Sequence, residues 1–164
     1  MAYATLEQLI ERFGLEEMTQ LLADEHDLLT EELLLAVLND STSRYSTEEV
    51  QAAQAAVNRA DVVIERLSDF MDSKFSARHT LPLDNPQQGN VVECCLALSR
   101  AALADDGTNT AKKMLDERDH WRQWLKDVST GKALLLEDRT PKTQGAIQRF
   151  HTRRPTSLLD GSHY

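Results

Sequence analysis

The sequence is organised around residues 46–75, which read STEEVQAAQAAVNRADVVIERLSDFMDSKF. The apolar residues of this stretch recur at alternating spacings of three and four, which is the pattern of one buried face on an α-helix. That face comprises Val50, Ala53, Val57, Ala60, Ile64, Leu67 and Met71, and it is widened by Ala56, Val63 and Phe70. A helix of about 28 residues is roughly 40 Å long, which is more than the core of a small domain needs. We therefore predict a long central helix at about 47–75, against which the other helices pack.

Polar residues at the helix ends support this assignment. Thr47 precedes Glu48 and Glu49, so its hydroxyl is placed to accept a hydrogen bond from the first turn, and the two carboxylates favour the positive end of the helix dipole. Residues 5–8, TLEQ, form a capping-box pattern for an earlier short helix, and Gly14 is a typical helix stop. Both helices therefore have well-defined predicted starts.

The rest of the chain also has helical patterns. Further helices are predicted over 15–22, from Thr30 to Leu38, from Val91 to about 105–107, and from Thr108 or Asn109 to Gly131. The two prolines within 76–86 indicate an extended loop, and residues 132–136 are compatible with a short strand. The predicted fold is an all-α, small helical bundle around the central helix, with a body at residues 1–136 and an extended C-terminal tail at residues 137–164.

The charge of the chain is negative and unevenly distributed. The net charge is −9 and the pI is near 5.0, which argues against a protein that grips nucleic acid, because phosphate binding depends on clusters of Lys and Arg. Residues 131–164 hold six basic and three acidic residues, a net charge of +3, which leaves −12 for residues 1–130. An acidic body with a basic tail suggests that the two parts meet different partners.

The sequence also bears on the compartment. Residues 1–5, MAYAT, lack the basic and apolar regions of a signal peptide, and we find no apolar run that would span a bilayer, so we expect synthesis in the cytoplasm and no membrane association. Cys94 and Cys95 are adjacent, a spacing that suits neither a metal site nor an ordinary structural disulfide. We interpret them as small buried apolar residues in a reducing compartment.

No pattern in the sequence indicates an enzyme. The acidic clusters with a histidine at 24–27 and 116–120 lack a recognised metal-ligand spacing, and we interpret them as solvated charge. The cysteine pair has no nearby histidine to activate it, and we interpret Trp121 and Trp124 as a core residue and a rim residue rather than a platform for bases. We therefore expect no catalytic residues, no metal site and no cofactor.

Four stretches of the chain resemble the Mu-like phage neck proteins, a family of head–tail connectors. They are the opening residues 3–14, YATLEQLIERFG; residues 75–83, FSARHTLPL; the helix from Val91 to Leu103; and residues 124–133, WLKDVSTGKA. The likeness extends over roughly residues 3–136, and the order of the motifs is more specific than any one of them. The segment at residues 23–45 is longer and more apolar than is typical of the family, which leaves room for an extra helix or a contact with a neighbour.

The resemblance implies a structural protein of the virion that forms a ring under the portal, of roughly twelve copies by likeness to the family. It also implies a tail-side stopper or terminator protein as a partner, and double-stranded DNA that passes through the ring without specific binding. An acidic wall would suit that passage. In such proteins the C-terminal segment reaches the portal. Here we assign that contact, as a hypothesis, to the apolar and basic residues of the tail, Phe150, Arg153, Arg154, Leu158 and Leu159.

Other interpretations remain open at this stage. The tail is either disordered throughout or ordered only when it docks on a partner. The alternative function is a cytoplasmic helical regulator that binds a partner protein and has no role in a virion. A third, a metal-dependent enzyme built on the acidic clusters, would require stoichiometric bound metal.

Overall fold

The computed structural model describes residues 2–23, 28–86, 89–104 and 111–135. These ranges contain six α-helices and no strand: α1 Leu6–Phe13, α2 Leu15–Leu22, α3 Glu31–Leu38, α4 Thr47–Phe75, α5 Asn90–Leu103 and α6 Lys112–Thr130. The prediction of an all-α fold around one long central helix is confirmed. The tail at residues 137–164 lies outside the described residues, as does Leu136.

The N-cap of the long helix α4 lies one residue earlier than predicted. Ser46 is the N-cap: its hydroxyl accepts a hydrogen bond from the backbone N–H of Glu49, and the carboxylate of Glu49 accepts one from the backbone N–H of Ser46 at 2.7 Å. Thr47 is instead the first helical residue, so the assignment of the cap to Thr47 was wrong. The reciprocal pairing with Glu49 favours Ser46, since a capping box joins residues three apart.

The short helices α1 and α2 are separated by a single residue. Thr5 forms the predicted capping box with Gln8, and Gly14 ends α1 with its N–H bonded to the carbonyl of Ile10. Gly14 has φ = 98°, a conformation that disfavours any residue with a Cβ atom, and it also stands at the N-cap of α2. The glycine therefore makes the sharp corner between the two helices. Thr30 caps α3 as predicted, through the backbone N–H of Leu33.

Helix α4 lies at the centre of the bundle, and each of the other five helices packs against it. Its buried residues include Ala53, Ala56 and Ala60 in the first half and Ile64, Met71 and Phe75 in the second. Helices α5 and α6 also pack on each other, and α2 packs on α3. One hydrophobic core therefore extends along the whole of α4.

The buried face of α4 is narrower than the sequence suggests. Val50, Val57, Val63 and Leu67 are half-buried, and Phe70 is 38% exposed. The prediction that Phe70 belongs to the buried face was wrong, because its side chain lies at the edge of that face, beside α5 and α6. This exposed aromatic ring marks the groove described below.

The start of α6 differs from the prediction, whereas its end agrees with it. The helix starts at Lys112 with Ala111 at the N-cap position, and not with a cap at Thr108 or Asn109, which lie outside the described residues. It ends at Gly131, which has φ = 76°, as expected for a left-handed C-cap.

The residues after Gly131 do not form the predicted strand. The backbone N–H groups of Lys132 and Ala133 bond to the carbonyl of Asp127, at 2.7 and 3.2 Å. These bonds close the end of α6 and leave the segment in turns up to Leu135, which is buried. Local capping of the helix therefore takes precedence over the strand propensity of residues 132–135.

Cys94 and Cys95 are buried on α5 and are not joined in a disulfide, as predicted. Burial raises the pKa of both thiols, and in each it is the largest cause. Among the helices that the structure describes, none combines the length and the apolar character needed to cross a membrane.

Candidate docking groove

An exposed apolar groove lies where the second half of α4 meets α5 and α6. Its volume is about 310 Å³. The apolar part of its lining comes from α4 and α5, and the basic part comes from α4 and α6. The lining residues are Arg66, Leu67 and Phe70 of α4, Leu98, Ala101 and Ala102 of α5, and Arg118 and Arg122 of α6. We call this feature the arginine groove.

Helical spacing explains how the sequence builds the arginine groove. Arg66 and Phe70 are four residues apart on α4, and Arg118 and Arg122 are four apart on α6, so each pair lies on one side of its helix. Between them α5 contributes small side chains, such as Ala102, at the surface. Small residues on the middle helix therefore leave the space that the arginines surround.

The arginine groove is basic in a chain that is acidic overall. None of its lining residues is acidic. Arg118 forms a salt bridge with the adjacent Asp119 at 3.0 Å, whereas Arg66 and Arg122 have no salt bridge within the described residues. The Nζ atom of Lys74 lies 5.1 Å from the centre of the Phe70 ring, which adds another positive charge beside the exposed aromatic.

A half-buried arginine on α5, unlike Arg66 and Arg122, is paired within the fold. Arg100 contacts Glu17 of α2 and Glu117 of α6, and its guanidinium lies 4.5 Å from the centre of the Phe13 ring. Its charge is therefore compensated inside the fold, where it joins three helices. The charges of Arg66 and Arg122 face solvent instead, and guanidinium groups beside exposed apolar carbon suit an apolar surface that carries carboxylates.

A second depression has the opposite charge. It lies between α2 and the start of α3, has a volume of about 620 Å³, and is lined by Leu15, Glu16, Thr19, Gln20, Leu29, Thr30, Glu31, Glu32 and Leu35. Leu35 is 40% exposed there. Glu16, Glu31 and Glu32 form no salt bridge within residues 2–23, 28–86, 89–104 and 111–135. We call this feature the acidic surface.

The predicted portal contacts are not part of this geometry. Phe150, Arg153, Arg154, Leu158 and Leu159 all lie outside the described residues, so their assignment stays a prediction.

The two acidic clusters have different outcomes. Residues 24–27 lie outside the described residues. In the other cluster, Glu117 is paired with Arg100 and Asp119 with Arg118. The described part of the chain contains no group of three or more His, Cys, Asp or Glu residues arranged to hold a metal ion.

The two tryptophans of α6 pack against the core. Trp121 and Trp124 meet edge to face with their ring centres 5.5 Å apart, and Trp124 also meets Phe75 at 6.3 Å. Both side chains are half-buried. They thus link α6 to the end of α4 and do not form parallel, open ring faces of the kind on which bases stack.

Comparison with known proteins adds one finding. A family model described as Bacteriophage Mu, Gp36 matches residues 3–151 of the 164-residue chain. No curated protein and no solved structure match the chain. The family match covers all six helices and ends within the C-terminal tail.

Proposed function

The chain belongs to the bacteriophage Mu Gp36 family, and from that premise we propose that it is a structural head–tail connector of a phage particle. In this role it forms a closed ring under the portal and has no catalytic activity. The observation that carries the proposal is the family match itself, since it covers more than half of the chain and includes the entire helical body.

The described surface supports a role in assembly. The arginine groove and the acidic surface are both open, partly apolar depressions rimmed by charge. Surfaces of this kind suit contacts between proteins, because apolar contact supplies affinity and the charged rim selects the partner. Closed rings are built from heterologous contacts, in which two different surfaces of each copy meet.

The overall charge supports passage of DNA through the ring. The net charge is −9 per chain, and a ring of copies multiplies it. Negative charge disfavours binding of the phosphate backbone, which depends on clustered Lys and Arg. We propose that double-stranded DNA moves through the bore without specific binding, and that a stopper or terminator protein occupies the tail side of the ring.

The portal contact is assigned to the tail at residues 137–164. Its apolar residues Phe150, Leu158 and Leu159 supply anchors, and Arg153 and Arg154 supply positive charge. A short apolar and basic segment of this kind docks well on an acidic groove.

Native mass spectrometry of the full chain with the portal protein of the same phage tests the proposal. We expect a complex that holds many copies of the chain on one portal. A chain truncated after Leu136 should keep its helical content and lose the complex, because the whole predicted tail is removed. The matched control is the full-length chain with Thr140→Ala and Thr143→Ala, which should bind as the wild type does.

Two results would contradict the proposal. Full-length chain that does not bind the portal at all would exclude the connector role and favour the cytoplasmic regulator. Undiminished portal binding by the truncated chain would exclude Phe150, Arg153, Arg154, Leu158 and Leu159 as the anchors.

A further inference from the structure

Part of the apolar surface of helix α3 is left uncovered in the folded monomer. Six of the residues in its sequence, EELLLAVL, are apolar, and they occur all round the helix. Leu33, Leu34 and Ala36 are buried against the bundle, whereas Leu35 is 40% exposed, and Leu28 just before the helix is 38% exposed. A helix that is apolar on all sides is normally covered on all sides. We therefore expect a binding partner to cover the outer side of α3.

The charges around this exposed apolar side are negative. Glu31 and Glu32 form the first turn of α3, and Glu16 of α2 lies across the acidic surface from them. The arginine groove also places an exposed apolar side chain beside charged residues, but its charges are positive: Arg66 and Arg122 line the groove with the exposed ring of Phe70. One sequence thus supplies both halves of a complementary pair of surfaces.

The two halves are held on different elements of the same chain. Helix α3 packs on α2 and α4, while the arginine groove is formed by α4, α5 and α6. The guanidinium of Arg59 on α4 donates to the carbonyl of Leu22, which holds the end of α2 against α4. A contact between the arginine groove and the acidic surface therefore requires two copies of the chain.

We propose that the arginine groove of one copy receives the acidic surface and the exposed side of α3 of a second copy. The inference rests on the proposed function in that this contact joins neighbouring copies in the ring. Leu35 meets the apolar part of the groove beside Phe70, and Glu31 and Glu32 pair with Arg66 and Arg122. Two chains of net charge −9 repel each other at long range. Only an orientation that brings the two oppositely charged surfaces together offsets this repulsion, so the pairing also determines how the copies are oriented.

Exchange of the charges between the two surfaces tests the contact. One variant carries Arg66→Glu with Arg122→Glu, and the other carries Glu31→Arg with Glu32→Arg. Each variant alone brings like charges together, so we expect self-association to weaken more than about 100-fold. An equimolar mixture restores opposite charges at every contact and should assemble with alternating copies. Sedimentation of the full-length chains, free and bound to the portal, measures both effects.

Matched variants control for the change in net charge. Lys112→Glu with Lys126→Glu changes two exposed lysines of α6 that do not line the arginine groove. Glu7→Arg with Glu48→Arg reverses exposed carboxylates in the first turns of α1 and α4, which matches the helical positions of Glu31 and Glu32. Both controls should associate as the wild type does, and circular dichroism should show native helicity in all four variants.

A variant without a charge change distinguishes loss of the contact from misfolding of α3. Leu35→Ser removes apolar contact while the first turn of the helix is left intact, and we expect it to weaken self-association about tenfold. This substitution affects a side chain that the folded monomer already exposes, so the thermal transition should stay within a few degrees of the wild type.

The results separate this inference from the proposed function. Assembly that persists in either charge-reversed variant, or a mixture that fails to restore it, overturns the contact even when the portal still binds. Restoration in the mixture with no binding to the portal supports the contact and overturns the connector role. A wild-type chain that remains monomeric at high concentration and also binds the portal only as separate copies overturns the contact.

Discussion

Two neighbouring stripes on the second half of α4 are used in opposite ways. One stripe, which we call the closed stripe, contains Ser68, Asp72 and Phe75, and each of these side chains has a partner within the fold. The other, which we call the open stripe, contains Arg66 and Phe70. These two side chains line the arginine groove and have no salt bridge or aromatic partner in the part of the chain that the structure describes. The first stripe accounts for stability, and the second is left unexplained by the monomer.

The closed stripe is held by the amino-terminal segment. The backbone N–H of Tyr3 donates to Oγ of Ser68 at 3.0 Å, and the hydroxyl of Tyr3 donates to the carboxylate of Asp72. The ring of Tyr3 meets that of Phe75 edge to face, with centres 6.0 Å apart. Oγ of Ser68 in turn donates to the carbonyl of Ile64 at 2.8 Å, so the polar groups beneath Tyr3 are satisfied.

The difference between the stripes shows how to separate structural from functional residues on one helix. Buried groups with complete hydrogen bonding are explained by folding, because an unpaired buried polar group is costly. A partly exposed aromatic ring beside unpaired guanidinium groups adds less to the stability of the monomer. Mutations on the two stripes should therefore give opposite results for stability and assembly.

The largest effect is expected at the end of the closed stripe. Phe75→Ala removes a fully buried ring that contacts both Tyr3 and Trp124, and it should lower the free energy of unfolding by about 3–5 kcal/mol. The matched substitution Phe70→Ala on the open stripe should cost less than about 1 kcal/mol, since this ring is already exposed. Urea unfolding of both variants measures the contrast, and equal losses would contradict it.

A smaller effect is expected for Tyr3→Phe, which keeps the ring and removes the hydroxyl. Loss of the hydrogen bond to Asp72 should lower the free energy of unfolding by about 1 kcal/mol. The pKa of Tyr3 is raised well above its usual range by burial and by the hydrogen bond and charge of Asp72. A raised pKa means that this stabilisation is complete below the ordinary tyrosine pKa of about 10 and is lost at higher pH.

The alkaline pH dependence tests this assignment. Wild-type protein should lose stability more steeply above about pH 10 than Tyr3→Phe does. Tyr45→Phe is the matched control, because it removes the hydroxyl of a half-buried tyrosine that has no part in the contact between Tyr3 and Asp72. Parallel slopes for the wild type and Tyr3→Phe would show that the Tyr3 hydroxyl is not held by Asp72.

The smallest effect is expected at Asp61, which precedes Ile64 and Ser68 on the closed side of α4. Partial burial and, to a lesser degree, the nearby charge of Glu7 raise the pKa of Asp61. A raised carboxyl pKa means that the ionised form destabilises the fold and that protonation relieves this effect. Asp61→Asn should therefore raise the thermal midpoint slightly at pH 7, and the difference should shrink as the pH falls toward about 4.

A charge control accompanies this last experiment. Asp69→Asn removes an equal charge from another exposed position on α4, and it should leave the midpoint close to that of the wild type. A midpoint that rises equally in both variants would assign the effect to net charge and not to the local surroundings of Asp61.

Local features of the fold could be predicted from the sequence. The starts of α1 and α3 follow from the hydroxyls of Thr5 and Thr30, and the end of α6 follows from Gly131, because each signal acts within one turn. The cap of α4 was assigned to the wrong neighbour, since Ser46 and Thr47 are both hydroxyl residues and only the contact with Glu49 distinguishes them.

The arginine groove was not predicted, because its rim comes from helices about fifty residues apart in sequence. The spacing of Arg118 and Arg122, four apart on a predicted helix, was the available signal on α6. Nothing local places that pair opposite Arg66, and the apolar pattern of α4 assigned Phe70 to the core. The relative rotation of three packed helices, which the sequence does not state, decides that Phe70 is exposed.

The contact between Tyr3 and Ser68 joins residues 65 positions apart, and this has a consequence for the order of folding. Helices α4 and α5 are close in sequence and pair at a small cost in loop entropy, whereas docking of Tyr3 closes a far longer loop. We expect the amino-terminal segment to dock after the transition state, so a φ-value near zero for Tyr3→Phe would be its kinetic signature. During synthesis, the segment that leaves the ribosome first would then be among the last to reach its native place.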